Sequence, residues 1–173
     1  MKYLNSVLGV FLLFSALNAC KVNYSFSGAN INPNLKTLHI TPISNRAAVV
    51  QPILVQTLTD KMRQKFLVQT PLQVINSANA DLVFEVTITD YVIEPVAFGN
   101  EGGQAASRNR IKVTMQVNCT NNQSPKDSWE TTFTPRFAEF ESSENLSTVE
   151  AKLIAQICEE LSDDVFNKAF VNW

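Results

Sequence analysis

Apolar residues recur along this chain with two different periods, and the points where the period changes divide it into elements. In "KTLHITPI", starting at Lys36, Leu38 and Ile40 share one side while Thr37, His39 and Thr41 share the other. That is the period of two of a half-buried strand, and Pro42 ends the strand or confines it to a sheet edge. The period then lengthens. Leu54, Leu58, Met62 and Phe66 recur every four residues, with Ile53 and Val55 beside them, and predict a helix over "QPILVQTLTDKMRQKFLVQT". Pro52 suits its first turn, where a missing N–H costs nothing. Pro71 stops it, and Lys61, Arg63 and Lys65 fall toward solvent.

Alternation returns after Pro71. A short "LQVI" strand and the turn-rich link "NSANAD" lead to "LVFEVTITDYVIEPV", which places Leu82, Phe84, Val86 and Ile88 on one side. Residues 98–109 hold three of the chain's five glycines and break the pattern. "RIKVTMQVNCT" then puts Ile111, Val113, Met115, Val117 and Cys119 inward and Arg110, Lys112, Thr114, Gln116 and Asn118 outward. The run "SWETTFTPRF" places Trp129, Thr131 and Phe133 on one face. A closing helix is predicted from the stripe Ile154, Ile157, Cys158, Leu161, Val165 and Phe166, with Glu159, Glu160, Asp163 and Asp164 on its polar side. Ser147 and Glu150 in "STVE" have the spacing of a capping box at its start. These elements predict an α+β fold: a four- to five-stranded, mostly antiparallel sheet with two α-helices packed on one face and a more polar opposite face.

The beginning of the chain follows neither period. Lys2 precedes an apolar run, Val7 to Phe14, that is too short to span a bilayer as a stable helix and reads as a secretion signal. Leu17-Asn18-Ala19-Cys20 resembles the lipobox of bacterial lipoproteins, in which the cysteine thiol is joined to diacylglycerol and the signal is cut before it. The expected organisation is a signal peptide at 1–19, a lipid-anchored leader at 20–35 with Cys20 as the lipidation site, and a single α+β domain at 36–173. Acyl chains contribute about 0.8 kcal/mol per buried methylene, so several hold far more firmly than one. Lys21 is not the inner-membrane-retaining Asp of the enterobacterial sorting rule, which favours the outer membrane, facing the periplasm.

Charge and candidate chemistry narrow the function. Lys+Arg number 14 against 16 Asp+Glu, so there is no basic excess to neutralise phosphates and no nucleic-acid partner is expected. His39 is the only histidine and the cysteines are not clustered, which leaves no zinc site or cysteine–histidine pair. Gly102-Gly103 does not sit between a strand and a helix as a phosphate cradle requires. Neither an enzyme nor a cofactor or metal is expected. Cys119 and Cys158 fall on predicted core faces, either as two packed thiols or as a disulfide. One charge pattern is suggestive. Arg108, Arg110 and Lys112, at spacing two, point outward from one strand beside the glycine-rich segment, where they either grip lipid phosphates or an acidic protein wall or form a solvated strand face.

The stretches "YSFSGANINPNLKTLHITPISNRA" and "LTDKMRQKFLVQTPLQVINSANADLVFEVTITDYVIEPVA" resemble the lipopolysaccharide-assembly lipoprotein family LptE, in the form found in Bacteroidetes. The resemblance covers almost the whole mature chain. It implies a non-catalytic outer-membrane lipoprotein that assists lipopolysaccharide transport and insertion by plugging a large β-barrel translocon and helping it assemble. The implied partners are that LptD-like barrel, lipopolysaccharide itself, and the membrane through the lipid anchor; Arg108, Arg110 and Lys112, singled out by their spacing and charge, are the candidate residues for a lipid or partner contact. The alternative is a lipid-anchored periplasmic regulator or pilot of another envelope machine, such as a peptidoglycan synthase activator or a secretin pilot.

Overall fold

A seven-stranded sheet carries two helices on one face in the computed structural model, which describes residues 31–97 and 107–171. The expected signal peptide, Cys20 and most of the expected leader, together with residues 98–106 of the glycine-rich segment, lie outside the described residues. The chain runs β1 (Thr37–Ile40), β2 (Ser44–Asn45), α1 (Pro52–Gln69), β3 (Gln73–Val74), β4 (Leu82–Ala97), β5 (Ser107–Asn121), β6 (Trp129–Thr132), β7 (Arg136–Glu141) and α2 (Leu146–Phe170). β4 and β5 form a long antiparallel hairpin, in register from Leu82↔Asn121 to Ala97↔Ser107. β1 and β2 pair parallel with the free side of β4, β3 pairs parallel with β1, and β6 and β7 pair antiparallel with β5.

The α+β class and the antiparallel centre are those expected, and two short strands enlarge the sheet. β2 is a parallel bridge of two residues. β7 arises because Pro135 splits the single strand expected over "SWETTFTPRF". The Phe133 N–H still donates to the Met115 carbonyl at 3.0 Å, and pairing resumes at Arg136↔Val113.

A β-bulge at Thr89 resets the side-chain phase of β4, since the register passes from Ile88↔Met115 to Asp90↔Thr114. Leu82, Phe84, Val86 and Ile88 face the helices before it, and Tyr91 does so after it. Were Thr89 paired regularly instead of bulged, Asp90 and not Tyr91 would be turned toward the core. The core is continuous with both helices: the Phe66 ring stacks on Phe84 at 5.0 Å and meets Phe170 edge-on at 5.8 Å. Cys119 and Cys158 are buried free thiols, which decides against the disulfide, and burial pushes each up to about 12.

Three polar clusters depart from the expected assignments. Lys65, expected in solvent, is only 9 % exposed; it lies between the helices, with its ammonium on Asp163 and, at 3.0 Å, on Glu159. Lys61 reaches the other Glu159 oxygen at 2.8 Å. The acidic side of α2 therefore faces the flank of α1, and the lysine stems cover apolar surface while their heads are paired. The capping box is replaced as well. Asn145 caps α2, its Oδ1 accepting from the Ser147 N–H at 3.0 Å and the Ser147 hydroxyl at 2.8 Å. Glu150 is thereby released to accept from the Tyr91 hydroxyl at 2.7 Å and from Gln51 Nε2 at 2.9 Å, joining β4, the entry to α1 and α2. Burial, then this carboxylate, raises the Tyr91 phenol above its usual range.

Asp81 closes the opposite end of the sheet. Its Oδ2 accepts from the Lys36 N–H at 2.8 Å, the Thr37 N–H at 2.9 Å and the Thr37 hydroxyl at 3.0 Å, and its Oδ1 accepts from Gln123 Nε2 at 2.6 Å. The Gln123 amide first, then the two backbone N–H groups, hold this carboxyl at about 2, against an ordinary 3.8.

Two outcomes follow from this packing. Phe66→Ala should cost about 3–5 kcal/mol in urea unfolding, whereas Leu67→Ala on the exposed side of α1 should cost about 0.5 kcal/mol or less. Because folding depresses the Asp81 pKa, its contribution is complete above the unfolded value of 3.8 and disappears as pH falls through about 2. Urea midpoints measured at pH 6 and at pH 2 should therefore converge for wild type and Asp81→Asn as the pH drops; a gap that stays constant contradicts the clamp.

Candidate functional site

The helices cover one side of the sheet, and the other side presents the outward residues of β4, β5, β6 and β7. Strand alternation sets Arg108, Arg110 and Lys112 along this face, as their spacing predicts. The register then places carboxylates directly beside Arg108 and Arg110, and one of them within diagonal reach of Lys112. Glu94 of β4 lies directly across from Arg110, and Glu139 of β7 lies across from it on the other flank, while Glu141 faces Arg108. The Arg110 guanidinium reaches Glu94 Oε1 at 2.6 Å, and Lys112 Nζ reaches Glu94 Oε2 at 3.3 Å. Arg108 Nε donates to Glu141 at 3.0 Å, and its Nη1 lies 3.5 Å from Glu139. The Arg110 guanidinium also sits over the Phe137 ring, 5.2 Å from its centroid.

The row expected to be a strip of positive charge is thus a ladder of three cations and three carboxylates. Arg110, supported by Lys112, holds the Glu94 carboxyl below its ordinary range. Farther along the same face Asn118 donates to Glu85 at 3.1 Å and Gln116 donates to Glu130. At the sheet's other flank, the His39 ring donates through Nδ1 to the Ile75 carbonyl at 2.9 Å, which suits a structural role for the only histidine. On the helix side of the rim, Arg136 grips Asp164 with two bonds, at 2.7 and 2.5 Å.

The interleaved acids were legible only in part. Glu94 stands in "YVIEPV", beyond the bulge that changes its phase. Glu139 and Glu141 stand in "RFAEFE", whose alternation is that of a strand with both acids on one face. Aligning β7 with β5 requires the Pro135 break, which periodicity alone does not supply. Among the described residues there is no group of three or more side chains suited to a metal, and no helix is long and apolar enough to cross a membrane. What the face offers is hydrogen bonding and charge that is already paired, with one exposed aromatic ring, Phe137.

Comparison with known proteins follows the same outline. The family model LptE, described as "Lipopolysaccharide-assembly", matches residues 35–169. Among solved structures, a minor lipoprotein from Acinetobacter baumannii aligns with a TM-score of 0.50 at 10 % identity, covering 77 % of this chain and 91 % of that one. The rare lipoprotein B from Shewanella oneidensis aligns with a TM-score of 0.46 at 11 % identity, covering 75 % and 91 %. Curated protein sequences give no match. Since the family match begins just before β1 and ends in the last turn of α2, taking in all seven strands and nearly all of both helices, the chain belongs to the LptE lipopolysaccharide-assembly family.

Proposed function

We propose that this protein is a lipid-anchored outer-membrane lipoprotein, facing the periplasm, that plugs a large LptD-like β-barrel translocon for lipopolysaccharide and helps it assemble. The observation that carries the reading is the family match over the whole α+β unit, residues 35–169. Membership supports a non-enzymatic role in lipopolysaccharide assembly; seating in a barrel is the finer step. The outer face is physically suited to it. A wide barrel has a polar lumen, and burying lone ions against such a wall would cost several kcal/mol each. Here Arg108, Arg110 and Lys112 already have carboxylate partners, so the face can be enclosed without stranding a charge. In this reading the three cations contact the barrel or a lipid phosphate, and a phosphate reaching Arg110 competes with Glu94.

Cys20 supplies the anchor. Labelling with palmitate should mark the wild-type protein and not Cys20→Ala, which should leave the outer-membrane fraction; an unlabelled wild type contradicts the anchor. Extraction in mild detergent should recover a large barrel in stoichiometric amount. Recovery of a synthase or a secretin instead would favour the regulator reading.

The ladder gives a sharper test. Arg110→Glu sets a third carboxylate between Glu94 and Glu139, so barrel recovery should fall and become salt-sensitive. Adding Glu94→Arg restores a pair and should restore recovery. If Arg110→Glu recovers the barrel as wild type does, this face does not meet it.

A further inference from the structure

β4 has one neighbour too few. On the side away from β5, it is paired by β1 as far as Phe84 and by β2 as far as Ile88; beyond that, no strand among the described residues covers it. Hydrogen-bond parity identifies the open groups. The Thr41 and Arg46 N–H groups donate to the Phe84 and Ile88 carbonyls, so even-numbered residues of β4 face β1 and β2 before the bulge. The Phe133 N–H donates to the Met115 carbonyl, so odd-numbered residues of β5 face β6 and β7, and its even-numbered ones face β4. After the bulge the even-numbered β5 residues Thr114, Lys112 and Arg110 pair with Asp90, Val92 and Glu94. Tyr91, Ile93 and Pro95 therefore aim their backbone groups away from the sheet. Pro95, which has no N–H, stands in the outward phase, where pairing with β5 needs none, and offers only its carbonyl to that side.

The same edge has an apolar rim. Ile93 is 43 % exposed although it shares the inward face with buried Tyr91, and Val49, Val50 and Ile53 are exposed as well. These stretches are drawn together because Tyr91 and Gln51 donate to the same Glu150 oxygen. The chain that forms β2 turns away after Arg46, so the line of β1 and β2 along β4 stops short and leaves a berth of strand length.

We propose that this edge receives an extended polypeptide segment of the barrel partner, added as a further strand beside Tyr91–Val96 in line with β1 and β2. The proposal rests on the assembly reading above and names a docking surface distinct from the outer face. A lipid tail would cover the apolar rim yet leave the Ile93 N–H and C=O unpaired, whereas a backbone in extended form satisfies both. The inserted strand should be apolar toward Ile93, Val49 and Val50.

Hydrogen exchange on the isolated domain and on the copurified complex tests this by residue. In the isolated domain the Tyr91 and Ile93 amides should exchange freely while those of Val92 and Glu94, bonded to β5, are protected. In the complex the first two should slow by about 100-fold or more. Ile93→Pro removes only the outward donor, as Pro95 already does, and should keep the melting behaviour of the domain while lowering barrel recovery at least about tenfold. Ile93→Thr, which keeps the donor, should recover more barrel than Ile93→Pro. If the barrel is recovered while the Ile93 amide still exchanges freely, or if Ile93→Pro recovers as wild type, strand addition is wrong and the assembly reading stands. If wild type recovers no barrel, the assembly reading fails and takes this assignment with it. Protection of Ile93 in the domain alone that rises with concentration would give the edge to a second copy and overturn the proposal.

Discussion

Backbone pairing along β4 and β5 positions nearly everything else in this domain. The two strands stay in register over their full length except at Thr89, and every other strand but β3 pairs directly with one of them. One extra residue at the bulge decides which side chains of the upper hairpin face the helices, and so decides that Tyr91 meets Glu150 and that Glu94 joins Arg110 on the outside. A slip of one residue would move the entire apolar set of β5 to the polar face. The core and the outer ladder are two sides of one register.

That dependence explains which parts of the structure were legible in the residues. The α1 stripe of Leu54, Leu58, Met62 and Phe66 and the alternation of β5 are local periodicities, and both describe the folded chain. The family resemblance, quoted from Tyr24 through β4, is matched by the family model from residue 35 onward, over residues 35–169. Local spacing misassigned the groups whose partners are distant in sequence. Ser147 and Glu150 have capping-box spacing, yet Asn145 caps the helix because Glu150 is held by Tyr91 and Gln51. Lys65 falls on the polar side of its own helix, yet a second helix brings Glu159 and Asp163 to that side.

The outer face shows the same limit for function. The spacing of Arg108, Arg110 and Lys112 correctly places them on one side of one strand. Their electrostatic character depends on Glu94, Glu139 and Glu141 from the flanking strands, and cross-strand register is a property of the assembled sheet. A row that is cationic by itself becomes close to neutral in its context. Such a surface favours partners that supply hydrogen bonds in fixed geometry over partners that supply bulk opposite charge.

Cys119 and Cys158 are inert only in the finished fold. A thiol reacts as its thiolate, and with burial raising each to about 12, from an ordinary 9.0, almost none is present at neutral pH. The unfolded chain has no such protection. In an oxidising compartment these sulfurs would be open to disulfide exchange until β5 and α2 close over the core. There a race between packing and oxidation would set their redox fate, and closure of the helices over the hairpin is what shields them.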